Sequence, residues 1–191
     1  MQNIEKEIVI IGGANGSGKT TFAKPFVDQL GYDFLNADEI AKEFRNTETK
    51  NPLIKAGRIF FKRLNECIDQ GRNFVVETTL SGTYTNKVAI RAKKNNYNLR
   101  IIYLFLDNPE LCIERVNIRV IKGGHDVPIE DIVRRFYRSK NNFWNNFINI
   151  ADSWILLYNG EEGFQQVAIG NQDEYSIENP ILFNQFKSIS K

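Results

Sequence analysis

Eight residues near the amino terminus, Gly13-Ala14-Asn15-Gly16-Ser17-Gly18-Lys19-Thr20, fit the pattern G-x-x-x-x-G-K-[ST] without a gap. The flanks give the pattern its force: Ile8-Val9-Ile10-Ile11 before it reads as a buried strand, and Lys19–Leu30 after it reads as a helix. A strand, a glycine-rich turn and a helix amino terminus make a phosphate cradle. Glycines let successive N–H groups turn inward, and the helix dipole adds partial positive charge at the same point. The spacing predicts a nucleoside triphosphate site, ATP with Mg²⁺, on Gly13, Ala14, Asn15, Gly16, Ser17, Gly18, Lys19, Thr20 and Thr21. Lys19 would reach the β- and γ-phosphates, and the Thr20 hydroxyl would ligate Mg²⁺.

Beyond this cradle the chain alternates strand and helix patterns. Strands are predicted at Ile8–Ile11, Phe34–Asn36, Phe74–Glu77, Leu99–Leu106 and Trp154–Tyr158, with a weaker one at Gln166–Ile169. Helices are predicted at Lys19–Leu30, Leu53–Gln70, Thr83–Asn95, Pro109–Ile121 and Ile129–Ala151. Such alternation implies right-handed crossovers and an α/β P-loop NTPase fold, a mostly parallel sheet of about five strands flanked by helices on both faces. One domain spans residues 1–170, and residues 171–191 form an extension packed on it or partly ordered. Gly31 and Gly71 stop helices, and Asp107 or Asn108 caps the helix that opens at Pro109.

Ligands of open parallel sheets bind beyond the carboxyl ends of the strands, so acids found there matter. Asp38 follows the second strand and suits a general base that takes the proton of an acceptor hydroxyl; capping the following helix is its plain alternative. Glu77 ends the third strand after Phe74, Val75 and Val76, where a charge is costly unless paired or linked to a metal. It is a candidate for the acceptor side and, with Thr20, for Mg²⁺. Thr78 and Thr79 offer hydroxyls to an acceptor, as does Ser81. Asp107 is read as structural.

A third cluster is basic. Arg115 and Arg119 lie four apart on one helix, and Arg134, Arg135 and Arg138 lie on the next, with Gly123-Gly124 between them. Arginines on two helices joined by glycines describe a lid over about residues 115–140 that closes on the transferring phosphoryl group. Arg119 with Arg134 or Arg135 is assigned to it, and Arg138 to the outer surface. His125 is the single histidine and forms no metal site; Phe136, Tyr137, Phe143, Trp144 and Phe147 read as core.

A net charge of +2 gives no bulk electrostatic case for nucleic acid or membrane. No run is apolar and long enough to span a bilayer or open a secretory leader, so a cytoplasmic location is expected. Cys67 and Cys112 are too far apart for a zinc or disulfide framework and read as buried free thiols.

Taken together, Gly-Ser-Gly-Lys-Thr-Thr (16–21), Phe-Leu-Asn-Ala-Asp-Glu-Ile (34–40), Ala-Gly-Arg (56–58), Glu-Thr-Thr-Leu-Ser-Gly (77–82) and Gly-Gly-His-Asp-Val-Pro (123–128) before Arg-Arg-Phe-Tyr-Arg-Ser (134–139) resemble the small zeta-toxin-like P-loop kinases. The resemblance implies phosphoryl transfer from ATP to a hydroxyl, in the zeta toxins that of a UDP-linked amino sugar, and a small antitoxin as partner. It places the base on Asp38, the phosphate grip on Lys19, Arg119 and Arg134 or Arg135, and an acidic acceptor-side position on Glu77. The chain departs from the family at Tyr158-Asn159-Gly160, and Leu80-Ser81-Gly82 is too short for an ABC transporter signature. The alternatives are a nucleotide-driven switch with water as acceptor and a polynucleotide 5′-kinase.

Overall fold

Runs of Ile, Val and Phe become the centre of a seven-stranded sheet in the computed structural model, which describes residues 6–44 and 52–189. The strands are β1 (Glu7–Gly12), β2 (Asp33–Asn36), β3 (Phe74–Thr78), β4 (Asn98–Phe105), β5 (Ser153–Gly160), β6 (Gly163–Gly170) and β7 (Tyr175–Ile177). Their order is β2-β3-β1-β4-β5-β6-β7. The five strands from β2 to β5 run parallel, as expected, and β6 and β7 extend the sheet antiparallel. β7, Tyr-Ser-Ile, has only three residues, all exposed, and is too short for a periodicity to announce it.

The helices are α1 (Lys19–Leu30), α2 (Ala37–Lys42), α3 (Pro52–Asp69), α4 (Tyr84–Lys94), α5 (Pro109–Ile121), α6 (Ile129–Asn142) and α7 (Pro180–Ser188). Side chains alternate across a strand, and β1 shows the consequence. Ile8 and Ile10 join a core with α3, α4 and α7 through Leu64, Val88 and Phe186, whereas Val9 and Ile11 face α1 around Ala23. Both sheet faces are therefore covered, which is why the strand is continuously apolar. A third apolar cluster ties α5 and α6 to the phosphate-loop residue Ala14 through Cys112, Val116 and Phe136. Cys67 and Cys112 are buried free thiols.

One local reading is corrected, and two left open are decided. The helix expected over 129–151 ends as α6 at Asn142 and continues as a π-helical turn, Phe143–Phe147, closed by Ile148 N–H donating to the Phe143 carbonyl at 3.1 Å. The wider turn seats Phe143 flat against Tyr103, ring centroids 4.4 Å apart, with Phe147 also buried. The cap of α5 is Asn108, whose side chain accepts from Leu111 N–H at 2.9 Å; Asp107 instead accepts from the Tyr158 hydroxyl at 2.7 Å and from Gln185 of α7. Asp38 does not cap α2. Asn36 does, accepting from the N–H groups of Asp38 and Glu39 at 2.8 and 3.2 Å.

Strand register positions the site. Gly12 lies beside Thr78 and Tyr103, and Asn36 beside Glu77, so the ends of β1, β2 and β3 open on one edge. After β3 the chain turns through Leu80, a buried non-glycine residue at φ 54°. Its side chain packs where any Cβ on Gly12 would sit, and Asn142 donates to its carbonyl at 2.7 Å. Strain at Leu80, about 1 kcal/mol or more, is thus held by contacts with the start of the phosphate loop and with α6.

Candidate active site

The phosphate loop is held from behind. Gly13 takes φ 147°, and a Cβ there would run into the Leu104 carbonyl of β4 and the Ser17 hydroxyl. Gly18 takes φ 91° and leaves room for Asn159 of β5, whose amide donates to the Ser17 carbonyl at 2.9 Å. Gly13, Ala14 and Ser17 consequently form the back of the loop, while Asn15, Gly16, Gly18, Lys19, Thr20 and Thr21 line the cleft in front. Among the described residues, the buried Ser17 hydroxyl has no hydrogen-bond partner. Lys19 is 8% exposed, and its ammonium donates to the Ala14 carbonyl at 2.8 Å. Burial holds its pKa below the usual lysine range, opposed by the negative charges of Glu77 and Asp38.

Glu77 links three elements. One carboxylate oxygen accepts from the Thr20 hydroxyl at 2.8 Å, and the other accepts from the Asn36 amide at 2.7 Å. Burial pushes its pKa up, while Lys19 and these two hydrogen bonds oppose the rise. Asn36 therefore does two jobs: its oxygen starts α2 and its nitrogen orients Glu77. Asp38 is exposed on the first turn of α2 and lines the same cleft as Lys19 and Glu77. The loop after β3 adds Thr78, Thr79 and Ser81 to the lining. Thr79 and Ser81 hydroxyls lie 2.8 Å apart, and those of Thr78 and Thr85 lie 3.3 Å apart.

The arginines converge from α5 and α6. Arg135 donates to the Asn15 side chain of the phosphate loop at 3.3 Å and to Asp131 at 3.0 Å. Arg134 pairs with the same Asp131 at 2.7 Å, with 55% of its side chain exposed against 30% for Arg135. Arg135 is thus the one seated on the loop. Arg115 donates to the Asn159 carbonyl at 3.0 Å. Arg119 donates to the His125 carbonyl at 2.6 Å, and its buried Nε has no hydrogen-bond partner among the described residues. Gly124 closes α5 by donating to the Arg119 carbonyl at 2.8 Å, and any Cβ on it would strike the Arg119 side chain. Arg138, expected on the outer surface, lines the cleft with Arg134 and Arg135.

All of these groups surround one cleft of about 980 Å³. Six cations (Lys19, Arg115, Arg119, Arg134, Arg135, Arg138) face two carboxylates (Asp38, Glu77) among the described lining residues. Such an excess of positive charge fits a polyanion. Among the described residues no cluster of three or more acidic, histidine or cysteine side chains could by itself hold a metal ion. The adjoining Thr20 hydroxyl and Glu77 carboxylate are nonetheless hard oxygen donors of the kind that Mg²⁺ takes in ones and twos, beside phosphate and water. The residues present fit that ion. Sequence reasoning missed the roles of Asn36 and Asn159. Asn36, three residues before Glu39 at a strand-to-helix junction, carried a capping signal; Asn159, on a strand far along the chain, carried none.

Residues 8–138 match the model of the family AAA_33, described as an AAA domain. The chain is 25% identical over 159 residues to the cytidylate kinase of Archaeoglobus fulgidus, covering 78% of this chain and 81% of that protein. Its fold is similar to that of a chain in the crystal structure of AvrRxo1-ORF1:-ORF2 with ATP, with a TM-score of 0.78 at 18% identity. That match covers 98% of this chain and only 66% of the other, so the protein spans just under two thirds of that neighbour. A chain from the PezAT chromosomal toxin-antitoxin system of Streptococcus pneumoniae gives a TM-score of 0.65 at 16% identity, covering 100% of this chain and 82% of that one. No helix among the described residues is long and apolar enough to cross a membrane.

Proposed function

The chain belongs to the AAA_33 family of AAA domains, and from that premise we propose that it is an ATP-dependent phosphotransferase acting on a hydroxyl group of a small or nucleotide-linked metabolite. One observation carries the reading. Asp38, relieved of capping by Asn36, stands as an exposed carboxylate in the same cleft as the phosphate-loop Lys19. Such a base serves an attacking hydroxyl or water alike, and the wall of Phe61, Thr78, Thr79, Ser81 and Tyr84 in the same cleft favours an organic acceptor over water. The cytidylate kinase relative supports phosphoryl transfer, and the ATP named for the AvrRxo1 complex supports the donor.

In the proposed reaction the phosphate-loop N–H groups and Lys19 hold the triphosphate. The acceptor hydroxyl oxygen attacks the γ-phosphorus while its proton passes to the Asp38 carboxylate. The bond from γ-phosphorus to the bridging oxygen breaks, and ADP leaves. Arg135, seated on Asn15, and Arg119, whose Nε has no hydrogen-bond partner among the described residues, neutralise charge on the transferring oxygens, with the more exposed Arg134 lining the same cleft. Thr20 and Glu77 would hold Mg²⁺, which supplies charge neutralisation between the phosphates when bound. Thr78 and Thr79 hydrogen-bond the acceptor. The PezAT neighbour, part of a toxin-antitoxin system, supports a small protein partner that silences the cleft.

Incubation with γ-labelled ATP and a metabolite extract tests the reading. Label on an organic metabolite is the expected result, and label in inorganic phosphate alone would favour the switch.

A further inference from the structure

The cleft has two unlike ends. Every cation lining it among the described residues comes from the phosphate loop, α5 or α6. Past Asp38 and Glu77 the wall is made by α3 and α4, and there it is largely apolar: Phe60, Phe61, Leu64, Tyr84 and Val88, with Gly57 and the Thr85 hydroxyl among them. Phe60, Leu64 and Val88 are buried in the sheet core, so they form a fixed floor. Phe61 and Tyr84 stand above it, each 37% exposed, with ring centroids 4.0 Å apart and planes tilted by 44°. Large aromatic side chains left open to solvent inside a concave site are a cost to the free protein unless an occupant covers them.

Resting on the transferase reading, we propose that the acceptor is a neutral hydroxyl compound carrying a flat ring, and that Phe61 and Tyr84 hold that ring while its hydroxyl reaches Asp38. A phosphate or diphosphate on the acceptor would lie against this wall with no cation on α3 or α4 lining it among the described residues. A bare polyhydroxy sugar would set hydroxyls of one whole face against Phe60, Phe61, Leu64 and Val88, leaving Thr78, Thr79, Ser81 and Thr85 to pair only the rest. A flat ring instead gains stacking and apolar contact from one side, while Thr78, Thr79 and Ser81 supply hydrogen bonds from the other. The acceptor thus differs from the UDP-linked amino sugar that the zeta-toxin resemblance implies.

The test is transfer from γ-labelled ATP to a defined panel at equal concentration: uridine, adenosine and 2-phenylethanol against glucose and a UDP-linked amino sugar. Preferential label on the ring compounds is expected; uridine or adenosine ahead of 2-phenylethanol identifies a nucleoside, the reverse an aromatic alcohol. With the ring acceptor, Phe61→Ala and Tyr84→Ala should each raise the acceptor KM by about tenfold or more while the KM for ATP stays put. Tyr84→Phe should keep the wild-type value, which separates loss of a ring from loss of the fold. Label on glucose or the UDP-sugar in preference, or an acceptor KM untouched by both alanine variants, would overturn the inference and leave the transferase reading standing. Label on no panel compound overturns the inference, and the transferase reading falls with it if a metabolite extract takes no label either.

Discussion

The phosphate end and the acceptor end of the cleft are built by opposite means. At the phosphate end, backbone geometry is fixed by glycines at positive φ, and five arginines and one lysine surround a small volume. At the acceptor end, ordinary helices present core-type side chains, and specificity lies in which rings are left uncovered. The division follows from chemistry. A triphosphate looks the same in every kinase and rewards a fixed cradle, whereas an acceptor is particular to each enzyme and is met by replaceable side chains on a rigid scaffold. Asp38 and Glu77 stand at the boundary, the only carboxylates lining the cleft among the described residues.

Variants can break this division or sharpen it. Lys19→Ala should have the largest effect, a fall in kcat/KM for ATP of about a thousandfold by loss of charge on the transferring group, with acceptor affinity unchanged. A Lys19 variant that weakened acceptor binding instead would erase the boundary between the ends. Arg135→Ala comes next, lowering kcat by about a hundredfold, and Arg134→Ala should cost clearly less because its guanidinium is the more exposed of the pair. Equal losses in steady-state assays would show that contact with Asn15 does not distinguish them.

A pH series probes the same end. The depressed pKa of Lys19 means that its charge is lost as pH rises through a value below the ordinary lysine range, so ATP affinity should begin to fall at that lower pH. Because Glu77 raises the Lys19 pKa, Glu77→Gln should move the fall to still lower pH; a shift the other way in titration calorimetry would contradict the electrostatic coupling. Smallest of all, Asn36→Ala removes the α2 cap and a Glu77 partner at once, and should cost about 1 kcal/mol, or roughly 2–4 °C in Tm. An unchanged melting curve would show that α2 is held by other contacts.

The two ends also differ in how legible they were. The phosphate loop, α1 and α5 could be read residue by residue, since glycine spacing, Pro109 and apolar periodicity are local signals. The parallel strands were legible for the same reason. Asn159 was not, because its place against Gly18 depends on β5 lying next to β4, a long-range pairing that no local pattern encodes. Nor was the choice between Arg134 and Arg135: both are close to Asp131 on one helix, and only the docking of α6 on Ala14 turns Arg135 to the loop. Arg138 is exposed, as its outer position implied, yet it too lines the cleft. Phe61 and Tyr84 carry no site signal in sequence, and burial alone separates them from Phe60 and Val88.

The account turns on Asp38 as the group that takes the acceptor proton. Measuring ATP binding by calorimetry and phosphoryl transfer from labelled ATP on the same preparation of Asp38→Asn tests it most directly. The expected result is wild-type ATP affinity with transfer reduced by about a hundredfold or more. Transfer at the wild-type rate, or ATP affinity lost in step with transfer, would contradict it.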